Sequence, residues 1–228
     1  ISATVFVEET YDMVNNELII TDSRLLSKDE VMAIGVDNFA PLSEVPMPRA
    51  ATITRGRLTI TFSGVYNTSN GVSCNLTGTA HWDDSGLHTE GENYCATGED
   101  FIGVTWSGSF TAKSHSISGK NQLGGALTIY NSDSTPNAGR VWSFKDSNPT
   151  SKYTLYAKDI NLNVNISKNT LTGNGNTAEA VLKYIHTYSK VKGSISITPG
   201  SETVAGSFSL SNTDRQWSLV CTVTNIPY

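Results

Sequence analysis

Between Cys74 and Cys95 the chain gathers His81, Asp83, Asp84, His88, Glu90 and Glu92, with Trp82 and Tyr94 beside them and Glu99 and Asp100 just beyond. Three chemistries draw on such residues. A Ca²⁺ site takes several oxygen ligands from a loop, but the Asp-x-Asp-x-Asp-Gly order is absent. His81 and His88 sit in loop sequence that sets no ligand geometry. A glycosidase needs two carboxylates about 5–10 Å apart, for which Glu90, Glu92 and Asp100 are the candidates. A lectin stacks aromatic rings on sugars and binds their hydroxyls with acids. The ligand-binding set expected here is Trp82, Asp83, Asp84, His88, Glu90 and Tyr94. No metal site and no cofactor are expected.

Nucleophilic catalysis leaves less trace. There is no Gly-x-Ser-x-Gly elbow, and Thr105-Trp106-Ser107-Gly108 lacks the flanking glycine. His115 and His186 lie in polar alternating segments and read as exposed strand histidines. No catalytic residue is assigned. Of the four tryptophans, Trp106, Trp142 and Trp217 read as core, Trp217 in a strand that looks central, and Trp82 as the ligand contact.

The three cysteines include no Cys-x-x-Cys pair, so the usual zinc spacings are missing. A Cys74–Cys95 disulfide would close a loop of about 20 residues and add about 3 kcal/mol. It would also place the protein outside a reducing cytosol. Cys221, within Leu219-Val220-Cys221-Thr222-Val223, reads as a buried thiol.

The elements that must carry these residues are strands. Thr59-Ile60-Thr61-Phe62-Ser63 and Ser194-Ile195-Ser196-Ile197-Thr198 alternate apolar side chains with hydroxyls, as does Gly206-Ser207-Phe208-Ser209-Leu210-Ser211. Such alternation puts one face on a core and the other in solvent. Strands are expected over 51–55, 57–66, 71–82, 101–112, 124–130, 139–145, 153–165, 179–190, 192–199, 203–211 and 215–224. Over 178–189 helical and strand periodicities compete; Leu182, Tyr184, His186 and Tyr188 fit a strand, and the β-branched and aromatic content favours one. Ile1, Ala3, Val5 and Val7 share one side of a first strand that ends by Glu8–Glu9, and Leu18-Ile19-Ile20 begins a second apolar segment. Ser27-Lys28-Asp29-Glu30 fits a capping box opening a short helix that Gly35 closes. Pro41, Pro46 and Pro48 mark an extended connector. The expected fold is an all-β antiparallel sandwich of Ig-like or jelly-roll type with one short N-terminal helix. Residues 1–48 pack as strand, helix and connector on a sandwich domain of residues 49–228.

At 228 residues, 38% hydrophobic and 16% charged, with a net charge of −5, the chain lacks the basic stripe that nucleic acid requires. No apolar run approaches the roughly 20 residues of a membrane helix.

The opening Ile1-Ser2-Ala3-Thr4-Val5-Phe6-Val7 resembles the N-terminal donor strand of bacterial fimbrial subunits, and the ending from Gly206-Ser207-Phe208 through Trp217-Ser218 to Tyr228 resembles their closing strands. The resemblance implies strand exchange through Ile1, Ala3, Val5 and Val7 with a neighbouring sandwich. The cysteine placement departs from the common fimbrial pattern, whose bridge lies nearer the N-terminus. The expected function is that of a non-enzymatic extracellular or particle-surface protein, a bacterial adhesin or fimbria-associated subunit. Its partner is a protein or a host-surface glycan, and it can oligomerise by strand addition. Other readings are a carbohydrate-binding module or lectin, a phage structural protein, a β-pore-forming toxin and a jelly-roll glycoside hydrolase.

Overall fold

The computed structural model describes residues 1–14, 17–35, 52–68, 72–83, 98–149, 154–168, 176–188, 193–213 and 215–227. Two antiparallel sheets face each other. The larger contains β1 (Ser2–Val14), β2 (Glu17–Leu25), β3 (Thr52–Asn67), β4 (Val72–Trp82), β6 (Thr111–Asn121) and β10 (Thr154–Lys168), ordered β2-β1-β3-β4-β10-β6. The short β9 (Ser147–Pro149) also pairs with β10. The smaller sheet is built from β5 (Asp100–Trp106), β7 (Ile129–Thr135), β8 (Gly139–Phe144), β11 (Thr177–Thr187) and β14 (Gln216–Pro227), ordered β14-β11-β5-β8-β7. A hairpin of β12 (Ser194–Thr198) and β13 (Ser207–Ser211) completes the strands. The all-β sandwich read from alternation is the fold observed.

Alternation explains why these segments are strands. In β4 each of Val72, Cys74, Leu76, Gly78, Ala80 and Trp82 is buried, and each residue between them is half-exposed. Matching inward rows from β3, β10 and β11 meet it between the sheets, where Phe62, Leu76, Trp106, Leu182 and Tyr184 are fully enclosed. A second, smaller core of Phe101, Val141, Ile185, Phe208 and Leu210 lies beneath the β12–β13 hairpin, on the outer face of the smaller sheet.

The one helix, α1 (Lys28–Ile34), starts as read. Ser27 Oγ accepts from the Glu30 amide, and Glu30 reaches back to the Ser27 amide. It stops at Gly35, whose φ of 83° lies where other residues are strained. No described helix is long and apolar enough to cross a membrane.

Several boundaries differ from expectation. The strand expected over 101–112 is two, because Ser107 to Phe110 turns the chain: the Phe110 amide donates to the Ser107 carbonyl. The resulting β6 pairs along β10 in the other sheet. Its hydroxyl-rich sequence supplies few inward apolar residues, which hid it. The strand expected over 124–130 lies at 129–135 instead. β1 runs past Glu8–Glu9 to Val14, since β2 pairs with its second half. β14 is an edge rather than a central strand, leaving Trp217 half-buried.

Ile1, Ala3, Val5 and Val7 are committed within this chain. β1 pairs with β3 from Ser2↔Thr61 to Tyr11↔Thr52, and the N-terminal ammonium donates to the Phe62 carbonyl at 2.9 Å. Val7 is fully buried, with Ala3 and Val5 against the same core. Donating this strand elsewhere would uncover that core.

The Cys74–Cys95 bridge is corrected at its first partner. Cys74 is a free, fully buried thiol on the inward face of β4, and Cys95 lies outside the described residues. Alternation in β4 turns Cys74 into the inter-sheet core rather than toward a loop, and burial pushes its thiol up to about 11. Cys221 is a buried free thiol, as read. Native protein should therefore resist iodoacetamide at Cys74 and become alkylated there only on unfolding. A Cys74–Cys95 cross-linked peptide in a non-reduced digest would refute this.

Candidate functional site

At one end of the sandwich each inward row continues one step past its apolar residues into a polar one. On β1 the row Ala3, Val5, Val7 ends at Glu9. On β11 the row Leu182, Tyr184 ends at His186. Asp100 precedes Ile102 on β5 by two residues, and Asp146 follows Phe144 of β8 by two. Strand period alone therefore places three carboxylates and an imidazole in one layer. All are enclosed: Glu9 is 1% exposed, Asp100 0%, Asp146 4% and His186 3%.

The groups form a hydrogen-bonded chain across the sandwich. Trp217 Nε1 donates to Ser23 Oγ at 3.0 Å, and Ser23 donates to Glu9 Oε1 at 3.1 Å. His186 bridges Glu9 through Nε2 at 3.0 Å and Asp100 through Nδ1 at 3.1 Å. Asp100 also accepts from the Tyr184 hydroxyl and, at 3.0 Å, from the Thr187 amide. The Tyr184 oxygen in turn accepts from Trp82 Nε1 at 3.2 Å. Rings close the space around this chain, with the Trp217 and Trp82 centroids 5.0 and 6.1 Å from that of His186.

Asp146 stands apart. Its Oδ2 is 3.5 Å from His186 Nδ1, and its Oδ1 is buried without a hydrogen-bond partner.

Electrostatics follows from enclosure. Burial opposes charge on His186, but the attraction of Asp100 and Glu9 outweighs it and raises its pKa well above the ordinary value. Between two carboxylates the ring donates from both nitrogens, as an imidazolium does. Burial, reinforced by the Asp100 charge, lifts Asp146 well above the usual carboxylate range. Burial and Asp100 likewise raise the Tyr184 phenol. Groups so enclosed can hold a proton or a cation and tie strands together. They present no face to a substrate.

A groove of about 850 Å³ lies on the other side of the same strand ends. Alternation sends Asp100 and Asp146 inward and their neighbours Glu99, Phe101 and Lys145 to the groove. Tyr130, Asn131, Asn148 and Ser194 are other lining residues, and Glu99 and Lys145 are the only charged ones among the described residues. Tyr130 is 57% exposed.

No family model matches the chain. A search of the curated proteins likewise finds no significant match.

The expected ligand set is not brought together as such. Trp82 is 3% exposed, its indole held in the inter-sheet layer because it ends the inward row of β4. That corrects its reading as a ligand contact. Asp83 pairs with Arg57, which holds its carboxyl below the usual range, and lies 3.3 Å from His81 Nε2. Asp84, His88, Glu90 and Tyr94 lie outside the described residues, as does Glu92. His115 is exposed, as read, and its Nε2 meets Arg140 Nη1 at 2.9 Å. His186 is the reverse of its reading. Nothing local marks Glu9, Asp146 and Tyr184 as site residues except their spacing, each two residues along from a core residue.

Proposed function

We propose that the protein is a non-enzymatic, extracellular recognition protein that binds a glycan in the groove beside Tyr130. The observation that carries this is the lining itself: an exposed tyrosine ring among amides and hydroxyls, with few charges. A sugar offers an apolar ring face for an aromatic side chain and a rim of hydroxyls for Asn and Ser, and it carries no charge that needs a counter-ion. A few placed polar groups in a mostly uncharged cleft are what orients such a ligand. The hydroxyl-rich strand faces and the all-β frame fit a surface adhesin, for which glycan capture is the working step. Of the carboxylates considered for a hydrolase, Asp100 is enclosed beneath aromatic rings, and Glu90 and Glu92 lie outside the described residues.

A glycan array probed with the wild type and with Tyr130→Ala tests this. Selective binding by the wild type that weakens about tenfold or more in the variant is the expected result, as for loss of a central aromatic contact. Absence of binding to every glycan, or binding indifferent to Tyr130→Ala, would sink the proposal.

A further inference from the structure

We propose that Asp100, Asp146 and His186 are the ligands of a buried structural site for a divalent metal of the zinc class, with Glu9 orienting the imidazole from behind. The first support is geometric. His186 Nδ1 lies 3.1 Å from the Asp100 carboxylate and 3.5 Å from Asp146 Oδ2, and one donor atom from each residue falls within 4.8 Å of the others. Zinc with bonds of about 2.0–2.1 Å in a tetrahedral arrangement sets its ligands about 3.4 Å apart. The two separations from His186 bracket that edge, and the Asp100 and Asp146 donors lie within 4.8 Å of each other, so loading the site draws the two carboxylates inward.

The second support is Asp146 itself. Its Oδ1 is removed from water and has no hydrogen-bond partner. A buried carboxylate oxygen left so is costly and rare. Among the described residues Ser107 Oγ is the one other buried side-chain polar atom in this position, and it is a neutral hydroxyl. Asp146 approaches His186 through Oδ2 at 3.5 Å, and a cation held by both carboxylate oxygens would give Oδ1 its missing contact.

The third is the far side of the ring. Metal-bound histidines commonly donate their second N–H to a carboxylate, which fixes the tautomer and strengthens the ligand. Glu9 Oε1 sits 3.0 Å from His186 Nε2, and Ser23 and Trp217 hold Glu9 and Ser23 in turn. With Nε2–H given to Glu9, the Nδ1 lone pair points to the space shared with Asp100 and Asp146, and the metal replaces the Nδ1 proton. Three carboxylates against one imidazole also leave net negative charge in a dry layer, which a divalent cation offsets.

The donor set selects the ion. One nitrogen and a few oxygens suit zinc; Ca²⁺ takes six to eight oxygens, more than these residues supply. Enclosure makes the role structural. The metal would clamp the ends of β5, β8 and β11, with Glu9 tying them to β1 of the facing sheet.

The surface group of His81, Asp83 and Asp159 is the natural control. His81 lies 2.6 Å from Asp159 and 3.3 Å from Asp83, but it is 41% exposed, and Asp83 is engaged by Arg57.

Elemental analysis of the full chain after gel filtration, followed by Zn²⁺ titration of chelator-treated protein with thermal melting, tests the assignment. The expected result is stoichiometric Zn²⁺ and a melting temperature that falls on chelation and recovers with Zn²⁺. Asp146→Asn should weaken binding about tenfold or more and Glu9→Gln about 10- to 100-fold, while His81→Ala changes nothing. Should the cluster variants not fold, imidazole ¹⁵N NMR of the wild type decides. Zn²⁺ should move His186 Nδ1 while Nε2 stays protonated. Metal-free protein whose melting ignores Zn²⁺, binding lost through His81→Ala, or an unmoved His186 ring would each overturn the proposal.

Discussion

Asp100→Ala should lower the unfolding free energy by about 3–5 kcal/mol, the range seen when one partner of a buried ionic group is removed. The size follows from what the carboxylate holds. Asp100 is fully enclosed and accepts from the Tyr184 hydroxyl, the Thr187 amide and His186 Nδ1. Alanine strands all three donors in a layer roofed by Trp82 and Trp217, where water cannot replace the lost acceptor without opening the sandwich. Total stability of a domain is about 5–15 kcal/mol, so much of it is at stake. For a chain this long each kcal/mol moves the melting temperature by about 2–4 °C, giving a drop of about 6–20 °C by calorimetry. Asp100→Asn separates shape from charge. Its amide oxygen can still accept from Thr187, but its NH₂ faces donors, so it should fall between wild type and alanine. An alanine variant within about 1 kcal/mol of wild type in urea unfolding would show that the network is not a stability element.

The fold was legible because its signal is repeated. Alternation in β4, β11, β12 and β13 and the capping box at Ser27 each stand in the chain as written, and the structure follows them. The site was not, for a physical reason. Sequence reading treats a polar residue in an alternating run as belonging to the solvent face. In β11 it is the period that holds and the polarity that departs: His186 keeps step with Leu182 and Tyr184 and so must face inward. Glu9 keeps step with Val7 in the same way. Its partners lie on other strands, 177 residues away in the case of His186, so no local pattern shows that the inward charge is matched. Asp100 reads in sequence as an acidic-loop residue and a hydrolase candidate, because its place on the inward row of β5 shows only once Ile102, Val104 and Trp106 are seen to share that row. The groove was invisible for a related reason, since it is assembled from the ends of strands in both sheets and one hairpin.

Gly103→Val should detach the β12–β13 hairpin while leaving the inter-sheet core in place. Gly103 sits on the outer face of β5, between Phe101 and Thr105, and the Phe208 ring lies directly on its backbone. A Cβ at this position would come within 2.8 Å of Phe208 Cε1 and of Val141 Cγ2, and within 2.9 Å of the Arg140 carbonyl oxygen. The carbonyl belongs to the neighbouring strand β8 and cannot give way, so the ring must lift. Overpacking of this kind costs about 1–3 kcal/mol, and a two-stranded hairpin has little stability of its own. The remaining ties are hydrogen bonds: Lys183 Nζ donates to the Phe208 carbonyl at 2.9 Å, Thr105 Oγ1 to the Gly206 carbonyl at 2.7 Å, the Ile197 amide to Asp133 at 3.2 Å and Gln216 Nε2 to the Leu210 carbonyl at 3.1 Å. The loop between the two strands is tied through Ser201, Glu202 and the Gly206 amide. Hydrogen exchange should quicken across residues 194–211 and protease should cut there, with β4 and β10 staying protected. Because Ser194 and Ile195 line the groove, glycan binding at Tyr130 should fall with hairpin protection. Zn²⁺ occupancy, held in the other layer, should not. Wild-type protection of the hairpin in Gly103→Val would mean that the ring has another seat. Loss of binding with the hairpin still docked would place the ligand against β5 itself.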